Sequence, residues 1–415
     1  MIFNSDPSRR YQVRLLGVLA LINFVNFADR TVILPLFPLL REQFNASDSQ
    51  LGALQFWLQL LLAIFTIPFG LLGDRVSRAR IIAAGVVFWS VATFMGGLAQ
   101  SFAALLIARA LVGLGEAAYG PAAQSLISGA FPAALRARAQ AVFAAGMLIG
   151  GAAGQAFGGI IGQQWGWRPA FFVVGVPGMI LGLLALRIQE PPQGPSTELV
   201  EIRQLLRVKP FLALMASGVL ITFAGISLIT WGPDFVVRYK GFSLLEAGVT
   251  LGTVGLVSLV TGVLAGGYVA DRLHQRWAHG RALTVAIAFS LAAPFVLWAL
   301  AADSKPMVLT AFFIAGFFMS WYHGPVTAVI HDMMPRRAYA TSVGIYMFVT
   351  QSVGAFGPYL VGEVSDDASL RAGLEFAVGV MVLGALGFFL TAYFIQRNGV
   401  PAPPDRRIGE NNVQE

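Results

Sequence analysis

Two charged pairs stand where the sequence is otherwise apolar. Asp29 and Arg30 follow each other in a hydrophobic run near the start of the chain, and Arg109 and Glu116 lie seven residues apart in a second run, from about Phe102 to Phe131. Seven residues are two helical turns, so Arg109 and Glu116 share one side of a helix, ~10 Å apart along its axis. A charge at bilayer depth costs several kcal/mol unless it faces a polar interior or a partner. Burial favours the neutral form of a carboxylate and a nearby guanidinium favours the charged form, so an acid whose arginine moves can load and unload a proton. Arginine itself stays charged and can grip a phosphate or carboxylate through two parallel hydrogen bonds. The expectation is a buried site in which Asp29 and Glu116 carry protons, while Arg30 and Arg109 hold an anionic group or the acids by turns. Asn23, Asn26 and Phe27 recur below Arg30 at helical spacing, and Tyr119 lies just beyond Glu116. They are candidate linings of the same cavity, with plain packing as the competing reading for each.

Composition says what must position these residues. The chain has 415 residues, of which 56% are hydrophobic and 12% charged, with a mean hydropathy of +0.70. A soluble domain carries about 25% charged residues. This is the composition of a multi-span membrane protein. With a span taken as ~20 apolar residues, twelve are expected, at roughly 13–40, 50–72, 80–100, 104–128, 138–162, 170–187, 211–237, 246–270, 281–302, 306–331, 339–363 and 372–396. With the N-terminus in the cytoplasm, 20 of the 28 Lys and Arg fall in cytoplasmic segments and six in outer ones. That is a strong positive-inside bias, and it places both termini in the cytoplasm of a cell (inner or plasma) membrane protein. The basic start runs into a span without a signal-peptide cleavage site. Zero cysteines exclude disulfides and thiolate metal ligands.

The segment 188–210 opens on Pro and Gly and then carries Leu199, Ile202 and Leu206 at helical spacing. It reads as a cytoplasmic linker, either a surface amphipathic helix or a flexible connection, between an N-terminal six-helix bundle (1–187) and a C-terminal one (211–397). The polar, Pro-rich tail 398–415 reads as disordered. The halves repeat: Asp74–Arg75 after the second span answers Asp271–Arg272 after the eighth, at an offset of 197, and Arg41 answers Arg238 at the same offset.

The GLLGDRVSR stretch (Gly70–Arg78) and its weaker copy at Gly266–Arg272 resemble the signature of the major facilitator superfamily. NFADR (Asn26–Arg30), RALVGLGEAAYGPAAQSLI (Arg109–Ile127), WRPAFFVVGVPG (Trp167–Gly178), the EPP at Glu190–Pro192 and GGYVADRL (Gly266–Leu273) look like its Spinster branch. The resemblance implies an all-α fold of twelve transmembrane helices in two pseudo-symmetric bundles. It also implies proton-coupled transport of an amphipathic anionic lipid, such as a lysophospholipid or sphingosine phosphate, by rocking of the halves. Gly120–Pro121 looks closer to symporters of sugar acids. A proton-coupled symporter of small organic anions is therefore one alternative, and a non-transporting lipid sensor another.

Remaining signals fit around that frame. Asp74, Arg75, Arg78, Asp271 and Arg272 read as conformational latches, against the plainer reading of topology charges. Gly146, Gly150, Gly154, Gly158 and Gly162 leave one face of the fifth span without side chains. A close helix partner is expected there, with the glycines of the eighth span as the candidate. His323, beside Trp321 and Tyr322, is a possible substrate contact in an otherwise uncharged half, and the phenylalanines at 312, 313, 317, 318 and 348 suit an acyl chain. No phosphate-binding loop, HExxH or GxSxG occurs, so neither ATP hydrolysis nor an intramembrane hydrolase is expected. No metal or cofactor is expected, and a monomer that meets protons, an organic anion and membrane lipid, but not nucleic acid.

Overall fold

The computed structural model describes residues 7–73, 76–188, 190, 205–335 and 338–398. The regular structure among them is all helical. Helix α1 (Pro7–Val32) passes through a 3₁₀ turn (Leu34–Leu36) into α2 (Phe37–Phe44), and α3 (Asp48–Gly73), α4 (Arg78–Gly97), α5 (Phe102–Glu116), α6 (Gly120–Ala130), α7 (Ala133–Trp165) and α8 (Trp167–Ala185) follow. Beyond the linker come α9 (Lys209–Lys240), α10 (Leu244–Arg276), α11 (Gly280–Ala301), α12 (Lys305–Met319), α13 (His323–Met333), α14 (Tyr339–Gly354), α15 (Phe356–Asp367) and α16 (Leu370–Asn398). Among the described residues, eleven helical runs are long and apolar enough to cross a membrane. The expected span at 339–363 is present as α14 and α15, interrupted at Ala355. Most of the linker (191–204) and the tail beyond Asn398 lie outside the described residues.

Several expected continuous spans are broken, and proline explains where. Its ring removes a backbone donor and collides with the preceding turn. Pro35 sits in the 3₁₀ turn between α1 and α2, and Pro121 opens α6. Pro325 follows the 3₁₀ turn Ser320–Tyr322 at the start of α13.

The described residues group into two compact units. The first lies within Met1–Ser196, Leu228–Leu256 and Pro358–Gly373; the second within Thr197–Ser227, Val257–Gly357 and Leu374–Glu415. The core of the first unit is built from Leu19 and Ile22 of α1, Ile82, Val86 and Trp89 of α4, Val112 of α5 and Phe143 of α7. In the second unit Gly262 and Gly266 of α10 admit Phe317 and Trp321 at close range.

The glycine stripe of α7 has a different partner from the one expected. Gly146, Gly150, Gly154 and Gly158 face the backbone carbonyls of Ala20, Phe24, Ala28 and Val32, so the stripe receives α1, not α10. Helix α10 meets α7 along the adjacent line of Ala152, Gln155 and Gly159, through Gly248 and Gly252. Small residues let backbones approach where lipid supplies no hydrophobic drive between helices. A stripe four residues apart also drifts around the helix, so α1 winds along it while the neighbouring line stays free for a second helix.

A methyl group at Gly150 would collide with the Phe24 carbonyl, whereas one at Gly151 meets nothing nearer than the Thr31 methyl at 4.0 Å. Gly150→Leu is expected to destabilise by about 1–3 kcal/mol or more through overpacking, and Gly151→Ala to be neutral. Thermal unfolding of the purified variants in detergent checks both.

Candidate functional site

The four intramembrane charges come together in the first unit as two cross-helix pairs. Arg109 of α5 donates from Nη1 to Asp29 Oδ1 at 3.0 Å and to the Asp29 backbone carbonyl at 3.3 Å. Arg30 donates from Nε to Glu116 Oε2 at 2.7 Å. Neighbours on α1 point about 100° apart, so Asp29 and Arg30 take separate partners, and those partners sit two turns apart on α5. Between them Gly113 and Gly115 remove side chains from α5, and the backbones of α3 at Leu58 and of α4 at Trp89 press into the gaps. Thr93 of α4 donates its hydroxyl to Asp29 Oδ2. Both oxygens of Asp29 are therefore occupied.

Burial separates the two arginines. The side chain of Arg109 is 1% exposed and that of Arg30 is 18% exposed, with its guanidinium 4.6 Å from the Phe27 ring centre. Nε and Nη2 of Arg109, Oε1 of Glu116 and Nδ2 of Asn26 are buried and make no hydrogen bond among the described residues. Buried polar atoms of this kind normally find a partner. They are the places where water, a proton or a ligand atom would be taken up.

The other expected linings divide. Asn23 donates to the Phe143 carbonyl at 2.8 Å and Tyr119 to the Leu19 carbonyl at 2.5 Å, the tyrosine ring packed between Trp89 and Phe143. These two pin α1 to its neighbours and stand in the core, whereas the Phe27 ring lies against Arg30. In the second unit the Trp321 ring packs among Phe317 and Phe318, and His323 begins α13 as an exposed side chain edge-on to Tyr322. The Tyr322 hydroxyl meets that of Tyr346 at 2.7 Å.

Of the expected latches, Asp74 and Arg75 lie outside the described residues. Arg78 opens α4. Asp271 pairs with Arg281 at 2.9 Å, and Arg281 also holds both oxygens of Asp332 at 2.7 Å. Arg272 stays exposed over the Tyr268 ring.

Four functional candidates escaped the sequence reading. Thr93 had a signal, a hydroxyl within an apolar span. Arg281 and Asp332 read as ordinary span-end charges. Glu190 was read only as part of a motif, yet its carboxylate accepts from the Ser77 hydroxyl and from the Ala79 backbone N–H at 2.9 Å, so it caps α4 across 111 residues.

The fold matches known proteins. A family model of the Major Facilitator Superfamily covers residues 19–358. The chain belongs to the major facilitator superfamily. Within that superfamily it is Spinster-like. An MFS-type efflux pump of Mycolicibacterium smegmatis is 27% identical over 398 residues, covering 92% of this chain and 93% of that protein. Protein spinster homolog 1 of Xenopus tropicalis is 28% identical over 436 residues, covering 94% and 82%. The crystal structure of a bacterial homologue of the human lysosomal transporter Spinster, inward-facing and occupied, superposes with a TM-score of 0.86 at 26% identity, covering 95% of this chain and 99% of that one.

Partial burial works against the charge of Glu190, but the bonds from Ser77 and from the backbone of Ala79 and Arg78, with the Arg78 charge, outweigh it and hold the carboxyl below its usual range. A lowered carboxyl stabilises the fold above its unfolded titration, and that contribution fades as pH falls through the lowered value. Glu190→Gln is therefore expected to reduce the melting temperature at pH 7, with the deficit shrinking once the pH falls below about 4. Paired melting curves at the two pH values check it.

Proposed function

We propose that this superfamily transporter couples proton movement to the passage of an amphipathic anion of the lysophospholipid or sphingosine-phosphate kind. The observation that carries the reading is the Arg30–Glu116 pair: Glu116 is buried with one oxygen on Arg30 and, among the described residues, the other without a hydrogen-bond partner. A proton on Glu116 removes the charge that holds Arg30. Arg30, the more exposed of the two guanidinium groups, then binds the phosphate or carboxylate of a substrate, and loss of the proton draws it back. Asp29 and Arg109 form the second carboxylate–guanidinium pair of the same cycle. The likeness to a bacterial homologue of the human lysosomal transporter Spinster and to an efflux pump supports the transporter reading.

The accompanying architecture is twelve helices in two six-helix bundles, 1–187 and 211–397, joined by the linker 188–210 and rocking as a monomer. Both termini face the cytoplasm, as the excess of Lys and Arg in those segments requires. Trp321 and His323 contribute from the C-terminal bundle to the substrate path. Arg78, Asp271 and Arg272 act, with Asp74 and Arg75, on the cytoplasmic latch.

Purified protein in sealed vesicles is expected to move lysophospholipid under an imposed pH gradient and to ignore hexonates. Glu116→Gln and Asp29→Asn are expected to abolish accumulation against a gradient. Arg30→Lys, which keeps the charge but loses the fork, is expected to weaken substrate binding by roughly 10-fold or more. Accumulation that survives both acid substitutions, or hexonate uptake in place of lipid, refutes the reading.

A further inference from the structure

A groove of about 460 Å³ runs down the side of the first unit between α4 and the end of α8. Its apolar lining is Ala83, Ala84, Val87, Phe88 and Val91 of α4 with Leu186 beyond α8, and its one charged side chain is Arg80. At 100° per residue the five α4 positions fall within an arc of about 140°, and Arg80 lies in the same arc about one turn nearer the helix start. From Arg80 to Val91 the lane is ~16 Å long. That is the depth of one leaflet of a hydrocarbon core ~30 Å thick. Ala84, Phe88, Val91 and Leu186 are exposed, so this face meets whatever surrounds the protein.

The charge stands at one end of the lane. Six crossings separate the start of α1 from the end of α8, so the first turn of α4 and the end of α8 share the side on which the chain begins. Arg80 is on that first turn, and Arg187, the residue after Leu186, is at the same end; both are exposed. Neither guanidinium makes a hydrogen bond or ion pair among the described residues. Glu190, an acid at this end, is already engaged by the Ser77 hydroxyl and the Ala79 backbone N–H. The start of α4 adds the partial positive charge of its helix dipole. A groove of about 330 Å³ on the second unit offers the contrast. Thr261, Phe313, Ile314, Phe317 and Phe318 line it, and none is charged. Hydrocarbon of any lipid suits that one, whereas the first groove discriminates by headgroup.

We propose that the α4–α8 groove binds an anionic diacyl phospholipid of the leaflet on the N-terminal side, with its phosphate on Arg80 and one acyl chain laid along Ala83 to Val91. The lipid is a resident of the fold, bound on its outer face and apart from the buried Arg30–Glu116 and Asp29–Arg109 pairs, and it ties the start of α4 to the end of α8 beside the Glu190 cap. Its binding does not rest on transport. One basic side chain near an anionic membrane surface is worth about 1 kcal/mol, close to a 5-fold preference over a zwitterionic lipid.

The chain has no cysteine, so Val91→Cys carries a single bimane label at the inner end of the lane. The labelled protein is placed in phosphatidylcholine vesicles with a minor fraction of lipid bearing a nitroxide near the end of one acyl chain. Nitroxide phosphatidylglycerol is expected to quench with an apparent association about 5-fold above that of nitroxide phosphatidylcholine. Arg80→Gln is expected to bring the two lipids together, and Arg80→Lys to keep most of the preference. Ala84→Trp, which fills the lane from an exposed position, is expected to remove it as well. The same label at Thr261→Cys reads the uncharged groove and is expected to show no preference. Equal quenching at Val91→Cys with Arg80 in place overturns the site, as does a preference that survives both Arg80→Gln and Ala84→Trp in proteins that still melt in one transition. An equal preference at Thr261→Cys overturns it too, since anionic lipid would then gather around the whole basic protein. Loss of the phosphatidylglycerol signal on adding sodium phosphate at constant ionic strength would make free phosphate the ligand and refute the lipid.

Discussion

Four paired charges, three of them fully enclosed, are the constraint on which the first unit depends. Removing one member of a buried pair leaves the other unpaired, at a cost of about 3–5 kcal/mol. Each pair also joins α1 to α5, and Thr93 adds α4 to the Asp29 end. The helices must then stand close enough for side chains to meet across them. That closeness comes from glycine: Gly113 and Gly115 on α5, and the stripe on α7 that takes in the backbone of α1. The charges and the small residues are one device. Without close packing the pairs could not form, and the pairs in turn tie α1 to α5 at two levels.

Helix breaks recur in corresponding parts of the chain and lie next to polar groups. Gly120–Pro121 follows α5 and Gly324–Pro325 follows α12, each after a helix of 15 residues. The first break leaves Glu116 as the last residue of α5, at the negative end of that helix's dipole. The second leaves His323 as the first residue of α13. One architecture is used twice, with carboxylate–guanidinium chemistry in one copy and an imidazole among aromatic rings in the other.

How much was legible follows from contrast. Asp29, Arg30, Arg109 and Glu116 stand out because a charge in an apolar run has no bland explanation, so their convergence could be read from type and spacing. Asp48, Asp234, Arg41 and Arg238 could not be read in that way. Each lies near a span end, where charges are ordinary, and the two arginines were accounted for by topology and by the repeat. The pairing that gives them meaning joins positions 193 and 190 residues apart. The glycine stripe was visible as a stripe, but its partner was not. A bare face says that a helix comes close and nothing about which helix, and the adjacent line on α7 that receives α10 contains only one glycine. The broken spans were missed because average hydropathy runs smoothly through Gly-Pro, while backbone hydrogen bonding does not.

Exposure ranks the ion pairs by how readily they exchange partners. Arg109 and Asp29 are both enclosed, and Thr93 and a backbone carbonyl fill further positions around them. Separating that pair would strand two dry charges. Arg30 is more exposed and bonds one oxygen of Glu116, and Arg41 and Arg238 are more open still. Water can replace a partner only where it can reach the group. In this conformation the Asp29–Arg109 pair is the more enclosed of the two and the Arg30–Glu116 pair the more open. Graded exposure of this kind separates the pairs by the cost of parting them, which a set of equally buried pairs would not.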